Sequence, residues 1–361
     1  MGSKVETHLL IGSYAAADQE SIFRYAFNNT DGTLSLLDSV CGIENPSFIV
    51  PNENGQFLFA ISETKKADYS AMVTFQTISG AKPILLSKVL YEGPGACHIT
   101  VDWAGKFAVS ANYVGGSLAV LPFTDGGKLF GPFQLVEFSG SGPVQDRQEA
   151  SHVHSSLLLS EQRILLIADL GTDRVYVCRY DPSARQPLIF AKHPFISLPG
   201  GSGPRVMALH PTGLWFYVIC ELSADIFVFE KEKLDKWIFR YTVANNLVPN
   251  GREAADIKID RSGRYLYASN RGDADEIIIF AINEHTGALK EIQRIPSGAK
   301  GPRYLAIDPS GSYLFAANEK GNSVTSFEIS PQNGKLSYRG VAAQVGAPTC
   351  LQFVQLSTDN N

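Results

Sequence analysis

One motif recurs along the chain and limits what it can fold into. Residues Gly301–Glu319, GPRYLAIDPSGSYLFAANE, read as a strand, a Pro-Ser-Gly turn and a second strand. Close variants run over Gly203–Glu221, Ala254–Arg271, Ala96–Tyr113 and Asn45–Glu63, and a degenerate copy, SHVHSSLLLSEQRILLIADL, covers Ser151–Leu170. The turn positions are Gly55, Gly105, Gln162, Gly213, Gly263 and Gly311, separated by 50, 57, 51, 50 and 48 residues. A fixed period of this size marks a stack of equivalent units that bury one core together.

Each unit carries four strands. After SYLFAAN come a polar turn, the alternating strand SVTSFEI, an Asn-Gly turn at Asn333-Gly334 and the strand KLSYRGVA. The chain start holds three strands, His8 to Tyr14, Ser21 to Phe27 and Leu34 to Val40, which match the second to fourth strands of a unit. The missing first strand lies at the other end, in GAPTCLQFVQ, residues 346–355. Pairing the two ends removes the open sheet edges that would otherwise need protection. The prediction is an all-β, seven-bladed β-propeller with four antiparallel strands per blade, closed by a blade shared between the N- and C-termini, with residues 1–361 as one domain.

Composition narrows the partners. A net charge of −5 argues against nucleic acid, which needs a basic surface. No stretch approaches the apolar length of a membrane span, so no membrane partner is expected. The five cysteines are odd in number, scattered and outside any metal-ligand spacing, so they read mostly as small buried hydrophobes. No metal and no cofactor is expected, the cytoplasm is the expected compartment, and the sequence leaves the oligomeric state open.

Propeller geometry localises function. The first strand of each blade lines a central channel and the second runs back beside it, so the start of the first and the end of the second share one face. At first-strand starts stand His98, His154, Arg205, Asp256 and Arg303, and at second-strand ends Tyr14, Glu63, Asn112, Asp169, Glu221, Arg271 and Glu319. Counting back from the turns places His154, Arg205 and Arg303 at equivalent sites. Charges of both signs at a channel mouth are costly to desolvate unless paired or used on a ligand. Pairing between blades would absorb some of them, but two histidines and three arginines exceed that need. The longest interval precedes His154. Its extra residues fall in SGSGPVQDRQEASHVH, residues 139–154, which reads as a lid or substrate-contact loop over this face.

Other motifs are weak. His152 and His154 alternate on a strand, so their rings are expected on opposite faces and not on one metal. GGSGP at 200–204 leads into a strand, which argues against a serine-nucleophile elbow. His8, His193, His210 and His285 fall away from the polar face.

Taken together, ACHITVDWAGKFAVSANYVGGS, SHVHSS with ADLGTDRVYVCRYD, GSGPRVMALHPTGLWFYVICELS, AADIKIDRSGRYLYASNRG and GPRYLAIDPSGSYLFAANEKGNSV resemble the propeller-type 6-phosphogluconolactonase family, which includes the fungal carboxymuconate lactonising enzyme. The resemblance covers essentially the whole chain. It implies metal-free opening or closing of a lactone at one channel mouth. It also implies roles for a histidine of HxHS (His152 or His154), the arginine of GPR (Arg205), the glutamate after Cys220 (Glu221) and the arginine of SNR (Arg271). The chain departs from the family pattern at Val206, Cys220 and Asp256, where His, Asn and Glu are usual. The expected partner is a small anionic lactone. His154 is the expected base, with Glu221 orienting or replacing it, and Arg205 and Arg271 would hold the oxyanion or an anionic group. His98, His152, Asp256 and Arg303 are expected substrate contacts. The rival readings are lactonisation or isomerisation of a muconate-like dicarboxylate and a non-catalytic binding propeller.

Overall fold

In a computed structural model of the chain, the described residues are 5–64, 68–78, 81–102, 105–233, 236–244 and 253–357. They form seven antiparallel sheets of four strands. Blades 1 to 6 span 49–92, 96–137, 153–197, 204–244, 254–296 and 302–344. The shared blade orders Pro348–Ser357 innermost, then Val5–Ser13, Ile22–Phe27 and Leu34–Val40. The register between its terminal strands runs from Val5 opposite Ser357 to Ser13 opposite Pro348, so the predicted closure is present.

The repeated turn has a defined chemistry. Asn52, Asp102, Asp260 and Asp308 each accept the backbone N–H five residues on, from Phe57, Phe107, Tyr265 and Tyr313. Three residues after each of them a glycine takes positive φ, as at Gly55 and Gly311 (69° and 76°). In blade 3 the sequence has no glycine there. A short 3₁₀ turn, Ser160–Gln162, ends on Arg163 in the left-handed region instead, which explains why that copy looks degenerate.

Second strands such as Phe57–Ser62, Ile164–Asp169 and Trp215–Cys220 are buried along their whole length. Each is flanked by strands and covered on both faces by neighbouring blades, so it reads as a continuous apolar run without alternation. Seven hydrophobic clusters result, each drawing side chains from two adjacent blades. One takes Leu166 and Ala168 of blade 3 with Phe216 and Phe227 of blade 4. Another takes Leu9 and Leu351 of the shared blade with Phe315 and Ala317 of blade 6. Adjacent inner strands contact one another around the whole circle, and the channel between them is a cavity of about 790 Å³.

Closure can be tested on the last strand. Leu351 is 1% exposed at the seam, so Leu351→Ala is expected to cost about 2–5 kcal/mol in chemical denaturation. Leu90→Ala on an outer strand, 68% exposed, should stay within about 0.5 kcal/mol. Equal effects of the two would mean that the terminal strand does not close the ring.

Candidate active site

A bulge at the start of six of the seven inner strands builds the site. In blades 2 to 6 the pairing skips one residue, between Ala96 and His98, Val153 and Ser155, Pro204 and Val206, Ala254 and Asp256, and Pro302 and Tyr304. The skipped residues are Cys97, His154, Arg205, Ala255 and Arg303. Thr349 is skipped in the shared blade, and Ser47 has the corresponding place in blade 1. An unpaired bulge residue is free to re-aim its side chain, which is why such bulges suit the rim of an active site.

A second tier is fixed by a backbone hydrogen bond repeated in every blade. The N–H groups of Tyr14, Glu63, Tyr113, Leu170, Glu221, Arg271 and Glu319 donate to the carbonyls of Ala347, Asn45, Gly95, His152, Gly203, Glu253 and Gly301. Two expectations are corrected here. Asn112 and Asp169 lie one residue before this tier and are fully buried inside their blades. Asn112 donates to Ser117 Oγ, while Asp169 accepts from Ser151 Oγ, Thr172 Oγ1 and the N–H groups of His152 and Gly171. Both hold turns, and Tyr113 and Leu170 take the second-tier positions instead.

The two tiers meet at Glu221. Its Oε2 accepts from Arg205 Nε at 2.7 Å and lies 3.4 Å from Arg271 Nη2 and 3.9 Å from His154 Nε2. Its Oε1 accepts from Arg147 Nη2 at 2.6 Å. Burial opposes ionisation of this carboxyl. Arg271, Arg205, His154 and Arg147 outweigh burial and hold it well below the usual carboxylate range. Arg205 is anchored further by Nη1 donating to the Ala255 carbonyl at 2.7 Å, and Arg271 by Nε donating to the Glu253 carbonyl at 3.2 Å. Burial lowers Arg271 to about 10, with Glu221 pulling the other way, so it stays a cation at neutral pH.

His154 is buried beside this cluster, its ring edge-on to Tyr113. Burial, reinforced by Arg205 and opposed by Glu221, keeps its pKa well below the ordinary imidazole value, so the ring is neutral. No group hydrogen-bonds to that ring among the described residues, and Glu221 Oε2 lies 3.9 Å from its Nε2. His152 corrects the expectation of opposite faces. It precedes the strand and stacks on the same Tyr113 ring at 4.5 Å, because the bulge at His154 breaks the alternation. Its Nδ1–H donates to the Tyr113 carbonyl, and Nε2 lies 3.1 Å from Glu149 Oε1.

The remaining expected residues line the channel or its rim. Arg303 donates to Glu319 Oε2 at 3.2 Å and to the Tyr14 hydroxyl at 2.9 Å, and Tyr14 donates onward to Glu63 Oε2. His98 and Asp256 sit one residue beyond the bulge tier and face the channel deeper down. His98 packs on Phe48 at 4.3 Å and is pushed down to about 3 by burial, with Lys258 and Arg205 adding to it. Asp256 accepts from Lys258 Nζ at 2.7 and 2.8 Å and from the Leu305 N–H at 2.8 Å.

Sequence reasoning missed Arg147 and Tyr113. Arg147 comes from the inserted loop, and its only sequence signal is a basic residue in the one stretch that breaks the period. What the assembly can do chemically is clear from its charges. Three guanidiniums share the Glu221 carboxylate, so this cluster has positive charge left over beside a neutral imidazole. That combination suits a carbonyl substrate carrying an anionic group.

A family described as lactonase, seven-bladed β-propeller, matches residues 8–353. A 6-phosphogluconolactonase of Formosa agariphila is 33% identical over 336 residues, 92% of this chain and 95% of that protein. A 6-phosphogluconolactonase of Bacillus subtilis is 27% identical over 350 residues, 95% and 97% of the two chains. Among solved structures, the periplasmic gluconolactonase of Pseudomonas aeruginosa superposes with a TM-score of 0.88 at 29% identity, covering 97% of this chain and 99% of that one.

The charges make stability pH-dependent. Glu221, with its pKa depressed, stabilises fully above about pH 4.3 and loses that contribution as pH falls toward the lower folded value. His154, held neutral, costs stability progressively below about pH 6.5, where the unfolded chain takes up the proton. The expected outcome is that His154→Gln flattens the loss of stability between pH 6.5 and 5, while Glu221→Gln destabilises by about 3 kcal/mol at pH 7. Thermal melts across this range check both. A His154→Gln profile parallel to wild type would contradict the neutral, buried assignment.

Proposed function

The chain belongs to the family of seven-bladed lactonase propellers, and from that premise we propose that it opens 6-phosphogluconolactone with water. It is a lactone hydrolase. The observation that carries the assignment of residues is the Glu221 cluster. It leaves Arg205 Nη2 and Arg271 Nη1 without protein partners among the described residues, beside a neutral imidazole whose Nε2 is 3.9 Å from Glu221.

His154 takes a proton from water as the water oxygen bonds to the carbonyl carbon. The oxyanion that forms is held by Arg205 and Arg271, whose positions are set before substrate arrives. When the bond from the carbonyl carbon to the ring oxygen breaks, His154 returns the proton to that oxygen. The product acid then ionises. Glu221 is a poor base because four cationic or polar partners stabilise its charge, so its role is to orient Arg205, Arg271 and Arg147. The low pKa of His154 keeps the base form present throughout the neutral range, at some loss of basicity. Tyr14, Arg303, His98 and Asp256 shape the rim and channel around the substrate.

The compartment we propose is the cytoplasm, in keeping with five free cysteines. No helix among the described residues is long and apolar enough to cross a membrane.

Acid release from freshly made 6-phosphogluconolactone, measured over the spontaneous background, tests the reading. His154→Ala is expected to lower kcat by roughly 10²–10⁴-fold, and Arg205→Ala by roughly 10²–10³-fold. The acid limb of kcat/KM should lie below pH 6.5. A wild-type rate equal to background would overturn the reading, and an unchanged rate in His154→Ala would overturn the choice of base.

A further inference from the structure

Among the described residues, Arg147 is the one cation at the mouth that no blade supplies. At the second-tier position of blade 3 stands Leu170, 0% exposed, where the other six blades place Tyr, Glu or Arg. The inserted loop covers this gap. Gln148, also 0% exposed, fixes the loop by donating to the Leu170 carbonyl and to Asp173 Oδ1, both at 2.8 Å, and by accepting from the Val144 N–H. A buried amide with donor and acceptor both used pins the residue before it, and that residue is Arg147.

The Arg147 side chain is 40% exposed, far more than Arg205 or Arg271 at 5% and 11%. Only its Nη2 is engaged, at 2.6 Å from Glu221 Oε1 and 3.5 Å from the Tyr113 hydroxyl. Its Nε and Nη1 have no protein partner among the described residues. Arg205 and Arg271 already neutralise Glu221, so the third guanidinium is surplus to internal pairing. Lys258, a cation deeper in the channel, is by contrast matched by both oxygens of Asp256.

We infer that Arg147 is the specificity residue for the phosphate of a phosphorylated sugar lactone. Resting on the reading of the site given above, this assigns the lactone carbonyl to His154, Arg205 and Arg271, which share the Oε2 side of Glu221, and the phosphate to the free edge of Arg147 on the Oε1 side. A planar fork of donors on a pinned loop favours a dianion over the hydroxyl of an unphosphorylated sugar. The loop supplies selectivity to a ring whose blades supply the chemistry.

The test uses the open-chain products, so it does not depend on turnover. Calorimetry compares 6-phosphogluconate with gluconate on wild type, Arg147→Gln and Arg147→Lys, with thermal melts to verify folding. Wild type should prefer the phosphorylated ligand by roughly 10- to 100-fold. Arg147→Gln should lose that preference, and Arg147→Lys should recover part of it as a point charge. A preference that survives in Arg147→Gln, or is missing in wild type, overturns the inference. Hydrolysis by the same wild-type sample is read separately. Phosphate preference without turnover would keep the anion site and sink the hydrolase reading.

Discussion

Seven twisted sheets share one core only if the first and last of them meet, and here that meeting is made by pairing Val5–Ser13 with Pro348–Ser357. Everything at the channel mouth depends on this closure. Each hydrophobic cluster lies between two blades, so no blade has a core of its own to retain its shape. With the ring closed, the start of every inner strand arrives at one rim, and in six of the seven blades a bulge there frees one residue from the strand pairing. Rigid strands, rather than loops, thus hold His154, Arg205 and Arg303, which favours the tight positioning that catalysis needs.

Charge is then distributed unevenly around a ring that is regular in its backbone. One sector gathers Arg147, Arg205 and Arg271 on Glu221; the sector across the shared blade links Arg303 to Glu319 and, through Tyr14, to Glu63. The first sector has positive charge to spare, and the second has carboxylates enough to neutralise its arginine. An anionic substrate entering the mouth is therefore drawn to one side. The same imbalance explains the two protonation states that matter. Glu221 is held ionised by its partners, and His154 is held neutral by burial and by Arg205.

Blade number, the shared blade and the rim that gathers the polar side chains were legible in the sequence because the turn repeats its chemistry. An Asn or Asp, then a glycine three residues later, gives a ruler that survives substitution of almost everything else. That ruler placed His154, Arg205 and Arg303 together correctly. Asn112 and Asp169, the last residues of their strands, fall one residue short of the second tier. The same distance past the turn as Glu221 leads to Tyr113 and Leu170. The pair His152 and His154 was misread for a related reason: strict alternation holds only in an unbulged strand, and a bulge leaves no mark on a period. Arg147 was out of reach altogether. Its partner Glu221 is 74 residues away, and its place is set by a buried Gln148 in a stretch with no repeat to compare.

The account stands or falls on where the reacting carbon sits. A crystal structure with 6-phosphogluconate bound would show this directly. The prediction is a carboxylate within hydrogen-bonding distance of Arg205 and Arg271, next to His154 Nε2. A product bound at the opposite mouth, beside Arg261 and the turn residues Asn52 and Asp102, would contradict it.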